Sequence, residues 1–149
     1  MPIKQTTPPE AHQTLSGDPS VMYLDVRTAE EFTAGHPEGA INIPVIFFDS
    51  ATRQPSPNPN FQAVIESNIA KSVTIIVGCQ AGGRSQRAAE IMDQAGYTDV
   101  TNMQGGFGGG QNPAGKTVPG WRDAGLPIST DNGNGVSYAS LAQKAGVSS

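Results

Sequence analysis

The sequence predicts an α/β protein: an open parallel β-sheet flanked by helices on both faces. Three observations carry this expectation. Apolar, β-branched runs alternate along the chain with segments of helical spacing, the pattern of strand–helix–strand units. The run VTIIVG at 73–78 is continuous and uncharged, as strands covered on both faces are. The only cysteine of the 149 residues, Cys79, follows that run directly. It therefore stands at the carboxyl end of a central strand, where open α/β sheets bind their ligands.

The elements follow in order. EAHQTLS at 10–16 reads as a short helix and VMYLDV at 21–26 as a buried strand. TAEEFTAG at 28–35 begins with Thr28 and has Glu31 three places on, the signature of a capping box. Gly35 suits the end of that helix. AINIPV at 40–45 reads as a strand stopped by Pro44, and DSATRQPSPNPN at 49–60 as a proline-rich loop. FQAVIESNIA at 61–70 places apolar residues at 61, 64, 65 and 69, which is helical spacing. A helix is expected over 85–95, with Ala88, Ala89, Ile91, Met92 and Ala95 available inside, and a last strand over DVTNM, 99–103.

Length and composition bound the function. The chain can bury one proper core. It is 36% hydrophobic, with no apolar run long enough to span a bilayer. MPIKQTTPPE has no export-signal core, so the reading is cytoplasmic. A net charge of −4 gives no electrostatic reason to expect nucleic acid or an anionic membrane as partner. A single cysteine excludes an internal disulfide and an internal resolving cysteine. The chain has 18 glycines and 12 prolines, and nine of the glycines lie at 105–120 and 131–135, which marks loops there.

The segment IIVGCQAGGRSQRAAE, 75–90, gives the cysteine a chemical setting. Cysteine reacts as the thiolate, which is favoured where positive potential collects. A helix start supplies unpaired N–H groups and the positive end of a dipole. Arg84 and Arg87 add cations, and no Asp or Glu lies between 79 and 89 to cancel them. Gly82 and Gly83 permit tight turns that aim several N–H groups inward. A nucleophilic sulfur in a small anion cradle is the result. A buried cysteine that only fills the core is the plainer alternative.

These residues resemble the single-domain rhodanese family of thiosulfate sulfurtransferases. C-Q-A-G-G-R-S at 79–85 is similar to its active-site loop, C-x-x-G-x-R-S. YLDVRTAEEF at 23–32, GHPEGAINIP at 35–44, NMQGGF at 102–107 and GWRDAGLP at 120–127 are similar, in order, to its other signatures. The resemblance runs over residues 10 to 128 and implies a rhodanese-like domain at 1–130; residues 131–149 lie outside it and read as a flexible link, DNGNG at 131–135, and a tail. It implies that Cys79 takes the outer sulfur of thiosulfate, or of a persulfide, releases sulfite, and passes the sulfur to cyanide or a thiol. Main-chain amides from Gln80, Ala81, Gly82 and Gly83 to Ser85 would hold the negative sulfur. Arg84 would bind the anionic end of the donor, and Ser85 would cap the helix or hydrogen-bond the sulfur. No metal or organic cofactor is implied; an acceptor protein is compatible. A sulfur carrier or regulatory binding module with little thiosulfate turnover is the alternative. Cysteine phosphatases on this fold place five residues between Cys and Arg; here there are four, which favours sulfur over phosphate.

Other residues invite roles and are read as structural. Asp25 and Arg27 suggest a buried ion pair, with Glu30 or Glu31 as partner for Arg27. The resemblance implies that His36 belongs to a turn before the second strand, and an ionised thiol needs no base; His12 is a lone helix residue. GQNPAGKT at 110–117 matches a phosphate-loop pattern letter for letter. That pattern needs a strand before it and a helix at its lysine, and Pro119 forbids the helix. Where the resembled family has two or three residues before its tryptophan, this chain has thirteen, 108–120. That Gly-rich insertion is expected to border the Cys79 site, with Lys116 adding charge. VSYASLAQKAGVSS, 136–149, could form a short helix with Tyr138, Leu141 and Ala145 on one side, folding back onto the domain.

Overall fold

A computed structural model describes residues 3–112 and 114–147. Pro113 of the Gly-rich insertion and the last two residues of the expected tail helix lie outside the described residues. The chain begins with strand β1 (Lys4–Thr6) and helix α1 (Pro8–Gly17). Then come β2 (Met22–Asp25), α2 (Ala29–Ala34), the two-residue β3 (His36–Pro37) and β4 (Ile41–Asn42). A hairpin of β5 (Ile46–Phe48) and β6 (Pro55–Pro57) leads to α3 (Phe61–Asn68), β7 (Ile75–Gly78), α4 (Gly83–Gln94) and β8 (Val100–Met103). Short pieces β9 (Gly110–Gln111), β10 (Thr117–Val118) and β11 (Ile128–Ser129) precede the last helix, α5 (Tyr138–Lys144).

Five strands form one sheet in the order β1-β8-β7-β2-β4, and every pair in it is parallel. All four residues of β7 are buried, as its uncharged sequence requires. Side chains alternate between the two faces of a strand. Leu24, Ile75 and Val77 join a core cluster with α3, α4 and α5, while Tyr23, Ile76 and Met103 join a second with Ala11 of α1 and Phe32 of α2. Helices thus cover both faces, as the sequence predicts. Among the described residues no helix is long and apolar enough to cross a membrane.

The structure departs from the sequence reading at its polar edges. Strand β1 is Lys-Gln-Thr and carries no apolar pattern. It is held by its ladder with β8 and by an ion pair between Lys4 and Asp99. The segment read as a loop at 49–60 contains β6, paired antiparallel to β5. Proline is tolerated there because β6 pairs on one side only.

Helix α5 is not an appendage. Ser137 caps it by accepting from the Ser140 amide, the usual work of a helix-start serine. Tyr138, Leu141 and Ala142 are buried in the larger core cluster beside α3. Asn58 Nδ2 donates to the Tyr138 hydroxyl at 3.1 Å, and Asn68 Nδ2 donates to the Leu141 carbonyl at 3.0 Å. Helix α5 therefore packs back onto the domain across an exposed stretch at 130–135.

Leu141→Ala should lower the stability of the whole domain by about 2–5 kcal/mol, the cost of a buried leucine truncation. Urea unfolding followed by Trp121 fluorescence checks this. A single cooperative transition at lower urea is expected; an unchanged midpoint would show that the tail helix does not belong to the core.

Candidate active site

The loop after β7 is shaped by what surrounds it. Gly78 has no room for a side chain: a Cβ there would lie 1.7 Å from the Tyr23 hydroxyl oxygen. Cys79 follows, and at Gly82 the backbone turns with φ +115°, a conformation that favours glycine. Helix α4 starts at the next residue. The turn brings the Gly82 amide onto the Cys79 Sγ at 3.0 Å, and the Ser85 hydroxyl lies 3.3 Å from the same sulfur. The thiol itself is 2% exposed. The amides of Gly83, Arg84 and Ser85 form the first turn of α4, whose N–H groups have no intrahelical acceptor.

The loop is held from outside by main chain. The Phe107 amide donates to the Cys79 carbonyl at 2.8 Å and the Gly108 amide to the Gln80 carbonyl at 2.9 Å. Such close approach needs glycine: a Cβ on Gly106, at φ +55°, would lie 2.4 Å from the Cys79 carbonyl oxygen. A Cβ on Gly110 would lie 2.4 Å from the Ala81 carbonyl oxygen. The inserted segment thus borders the Cys79 loop. With Ala81, Gly82 and Gly83 it bounds a cavity of about 500 Å³, to which it contributes Gln111 and Asn112. What it brings there is carboxamide; Lys116 is not among the lining residues and its side chain is exposed. The phosphate-loop pattern here is a two-stranded ribbon, β9 paired with β10, with no helix at Lys116.

Arg84 does not stand free, as the sequence reading had it. Its guanidinium donates to both carboxylate oxygens of Glu31 on α2, at 2.7 and 3.0 Å. Half-burial alone would raise the Glu31 carboxyl. The Arg84 hydrogen bond and charge, with hydrogen bonds from Thr28, outweigh it and lower the carboxyl to about 2. The local sequence held no acid to cancel Arg84 because the acid comes from another helix. Its neighbour Arg87 is exposed.

Arg27 likewise has a different partner from the one expected. It pairs with Asp25, at 2.7 Å, and not with Glu30 or Glu31. The Asp25 carboxylate also accepts from the Arg27 amide at 2.9 Å, so a two-residue turn closes the pair locally. Arg27 further donates to the Gly35 carbonyl and to Gln80 Oε1, and lies 4.6 Å from the centre of the Phe107 ring. It ties strand β2 to the Cys79 loop. Ser85 is not the helix cap: Gly82 holds that position, and the Ser85 hydroxyl faces sulfur and the buried Asn102.

His36 is buried and stacks on Phe32 at 3.6 Å between ring centres, with its ring nitrogens at the carbonyls of Pro37 and Asp131. It packs the turn, and both ring nitrogens are taken up by main-chain carbonyls away from Cys79. Among the described residues no group of three His, Cys, Asp or Glu side chains could hold a metal ion. Sequence reasoning missed Glu31, Asn102 and Phe107 as neighbours of the loop. Glu31 was visible as a capping residue and as a candidate partner for Arg27; its pairing with Arg84 depends on a contact 53 positions away.

Comparison with known proteins places this geometry among relatives. The rhodanese-like domain profile matches residues 7–112. Thiosulfate sulfurtransferase 16, chloroplastic, of Arabidopsis thaliana is 46% identical over 85 residues, 57% of this chain and 69% of that protein. The senescence-associated protein DIN1 of Raphanus sativus is 40% identical over 106 residues, 71% of this chain; the chain spans 51% of that relative's length. The crystal structure of Rv0390 from M. tuberculosis superposes with a TM-score of 0.69 at 29% identity, covering 88% of this chain and 100% of that one.

The Arg84–Glu31 clamp gives a pH prediction. The folded carboxyl is depressed from 4.5 to about 2, so its contribution to stability is full above the unfolded value and is lost as pH falls through the folded one. Glu31→Gln should therefore be less stable than the parent by a constant amount above pH 5, a gap that closes as pH falls from about 4.5 towards 2. Urea titrations across that range check it; a gap that persists at the acid end would contradict the clamp.

Proposed function

The chain belongs to the rhodanese-like domain family, and from that premise we propose that it is a sulfurtransferase carrying sulfur as a persulfide on Cys79. The observation that carries the reading is the seating of the lone thiol at the start of α4. There the Gly82 amide points at the sulfur and the following amides of the helix turn lack intrahelical acceptors. Preorganised donors of this kind stabilise charge as it forms.

The steps follow. The Cys79 thiolate attacks the outer sulfur of thiosulfate. A new S–S bond forms, the old one breaks, and sulfite leaves with the bonding pair. The negative outer sulfur then rests on the loop amides from Gln80 to Ser85. A second nucleophile, cyanide or a thiol, takes that sulfur and restores the thiolate. Two half-reactions on one residue give ping-pong kinetics. Arg84, already paired with Glu31, acts in this scheme by fixing the loop and by adding positive potential; the main chain is what binds the charge. A protein thiol is an acceptor of the same chemical class.

Incubation with thiosulfate, followed by intact mass measurement, tests the reading. Addition of one sulfur, about 32 Da, is expected on the parent and not on Cys79→Ser, with discharge by cyanide or a thiol, because the only thiol is the nucleophile. No addition from thiosulfate but addition from a small persulfide donor would assign the carrier role instead. No addition from either would overturn the proposal.

A further inference from the structure

The Ser85 hydroxyl has three acceptors within reach and one proton to give. The acceptors are the Cys79 Sγ at 3.3 Å, the Gly82 carbonyl at 3.1 Å and Asn102 Oδ1 in a short contact. Which one takes the proton depends on how the Asn102 amide is turned. That orientation is dictated from the surface. Glu90 is a carboxylate and can only accept, so Gln86 presents its Nε2 to it, at 3.3 Å. Gln86 Oε1 is then left to face Gln5, whose Nε2 donates to it at 2.8 Å and also to the Ile3 carbonyl at 3.2 Å. Gln5 Oε1 in turn accepts from Asn102 Nδ2 at 2.9 Å. Every amide in the row points the same way, and the last acceptor, Asn102 Oδ1, is aimed at Ser85.

We propose that this row, Glu90–Gln86–Gln5–Asn102, draws the Ser85 proton away from sulfur, so that Gln5 and Asn102 are positioning residues governing how readily Cys79 ionises. With the proton on the Asn102 side, Ser85 offers Cys79 a lone pair, which suits a neutral thiol as donor. A thiolate needs the opposite: the hydroxyl must turn, give its proton to sulfur and abandon Asn102. Asn102 is 3% exposed, so abandoning it leaves a nearly buried acceptor short of a partner. The row reaches the site from edge strand β1, far from the loop in sequence. The inference rests on Cys79 being the reacting sulfur, but not on the identity of the sulfur donor.

Other charged and titratable groups surround the loop. Tyr23 and Asp25 stand on β2 with Arg27 just beyond it, Arg84 lies in the first turn of α4 paired with Glu31 of α2, and Arg87, further along α4, is exposed. None of these is altered by a substitution in the row. The test is the rate of Cys79 alkylation by iodoacetamide as a function of pH, unambiguous in a chain with one thiol. Gln5→Leu, on the exposed edge strand, and Asn102→Ala are compared with the parent, each with Ser85 present and with Ser85→Ala. Melting temperatures confirm that the variants are folded. Release of Ser85 should move the midpoint of the curve to lower pH by about half a unit, the size of one modest hydrogen bond. The same substitutions should do nothing once Ser85 is alanine. An unmoved midpoint in Gln5→Leu, or a shift that survives without Ser85, would overturn the inference. Coupling in alkylation without any persulfide from thiosulfate or a persulfide donor would leave the row standing and refute the sulfur-transfer reading; persulfide formation without coupling would do the reverse.

Discussion

The site depends on a main-chain contact between two loops. The chain leaving β8 presses its backbone against the cysteine loop, where the Phe107 and Gly108 amides meet the Cys79 and Gln80 carbonyls. The same segment is secured behind: the Trp121 amide donates to the Gly106 carbonyl, and the Arg122 amide to the Phe107 carbonyl. Trp121 is buried in the second core cluster, and its indole N–H donates to the Pro127 carbonyl. A rigid core element thus fixes a turn, the turn fixes the loop carbonyls, and the Gly82 amide is left facing the sulfur. Preorganisation of this kind means that little reorganisation is needed when charge develops.

The charges around this frame are largely spent on holding it. Arg27 answers Asp25 and Arg84 answers Glu31. In each pair the carboxylate belongs to β2 or α2 while the guanidinium reaches the cysteine loop or its helix. Removing one partner of the buried Arg27–Asp25 pair leaves an uncompensated charge and is costly; the half-buried Arg84–Glu31 pair is a second tie between the loop and the first half of the chain. The negative sulfur of the proposed persulfide therefore relies on peptide N–H groups. That arrangement discriminates by geometry: a cradle closed by a four-residue spacing to Arg84 is narrow, and the Gly82 amide and the Ser85 hydroxyl meet at one small atom.

Much of this was legible in the sequence because it is local. The uncharged run 73–78, the lone Cys79, the glycines at 82 and 83 and the Thr28–Glu31 capping box each have short-range causes. The same holds for the α/β alternation, since strand and helix periods are properties of neighbouring residues. What was not legible depends on distance along the chain. Glu31 reaches Arg84 across the sheet, and Asn102 reaches Ser85 from the next strand. Strand β1 has no apolar pattern at all, because an edge strand is recruited by backbone pairing. The Arg27 partner was misassigned for a related reason: three carboxylates lie within a few residues, and only the turn after β2 selects Asp25.

The central claim is that loop amides, and not Arg84, hold the negative sulfur. The most direct measurement is the amide nitrogen and proton shifts of residues 79–86 by NMR, before and after loading with thiosulfate. The account predicts that the Gly82, Gly83 and Ser85 amides move on loading and return after discharge with cyanide, while the Arg84 side chain, still paired with Glu31, does not. Sulfur loading that moved the Arg84 guanidinium signals and left those amides in place would contradict it.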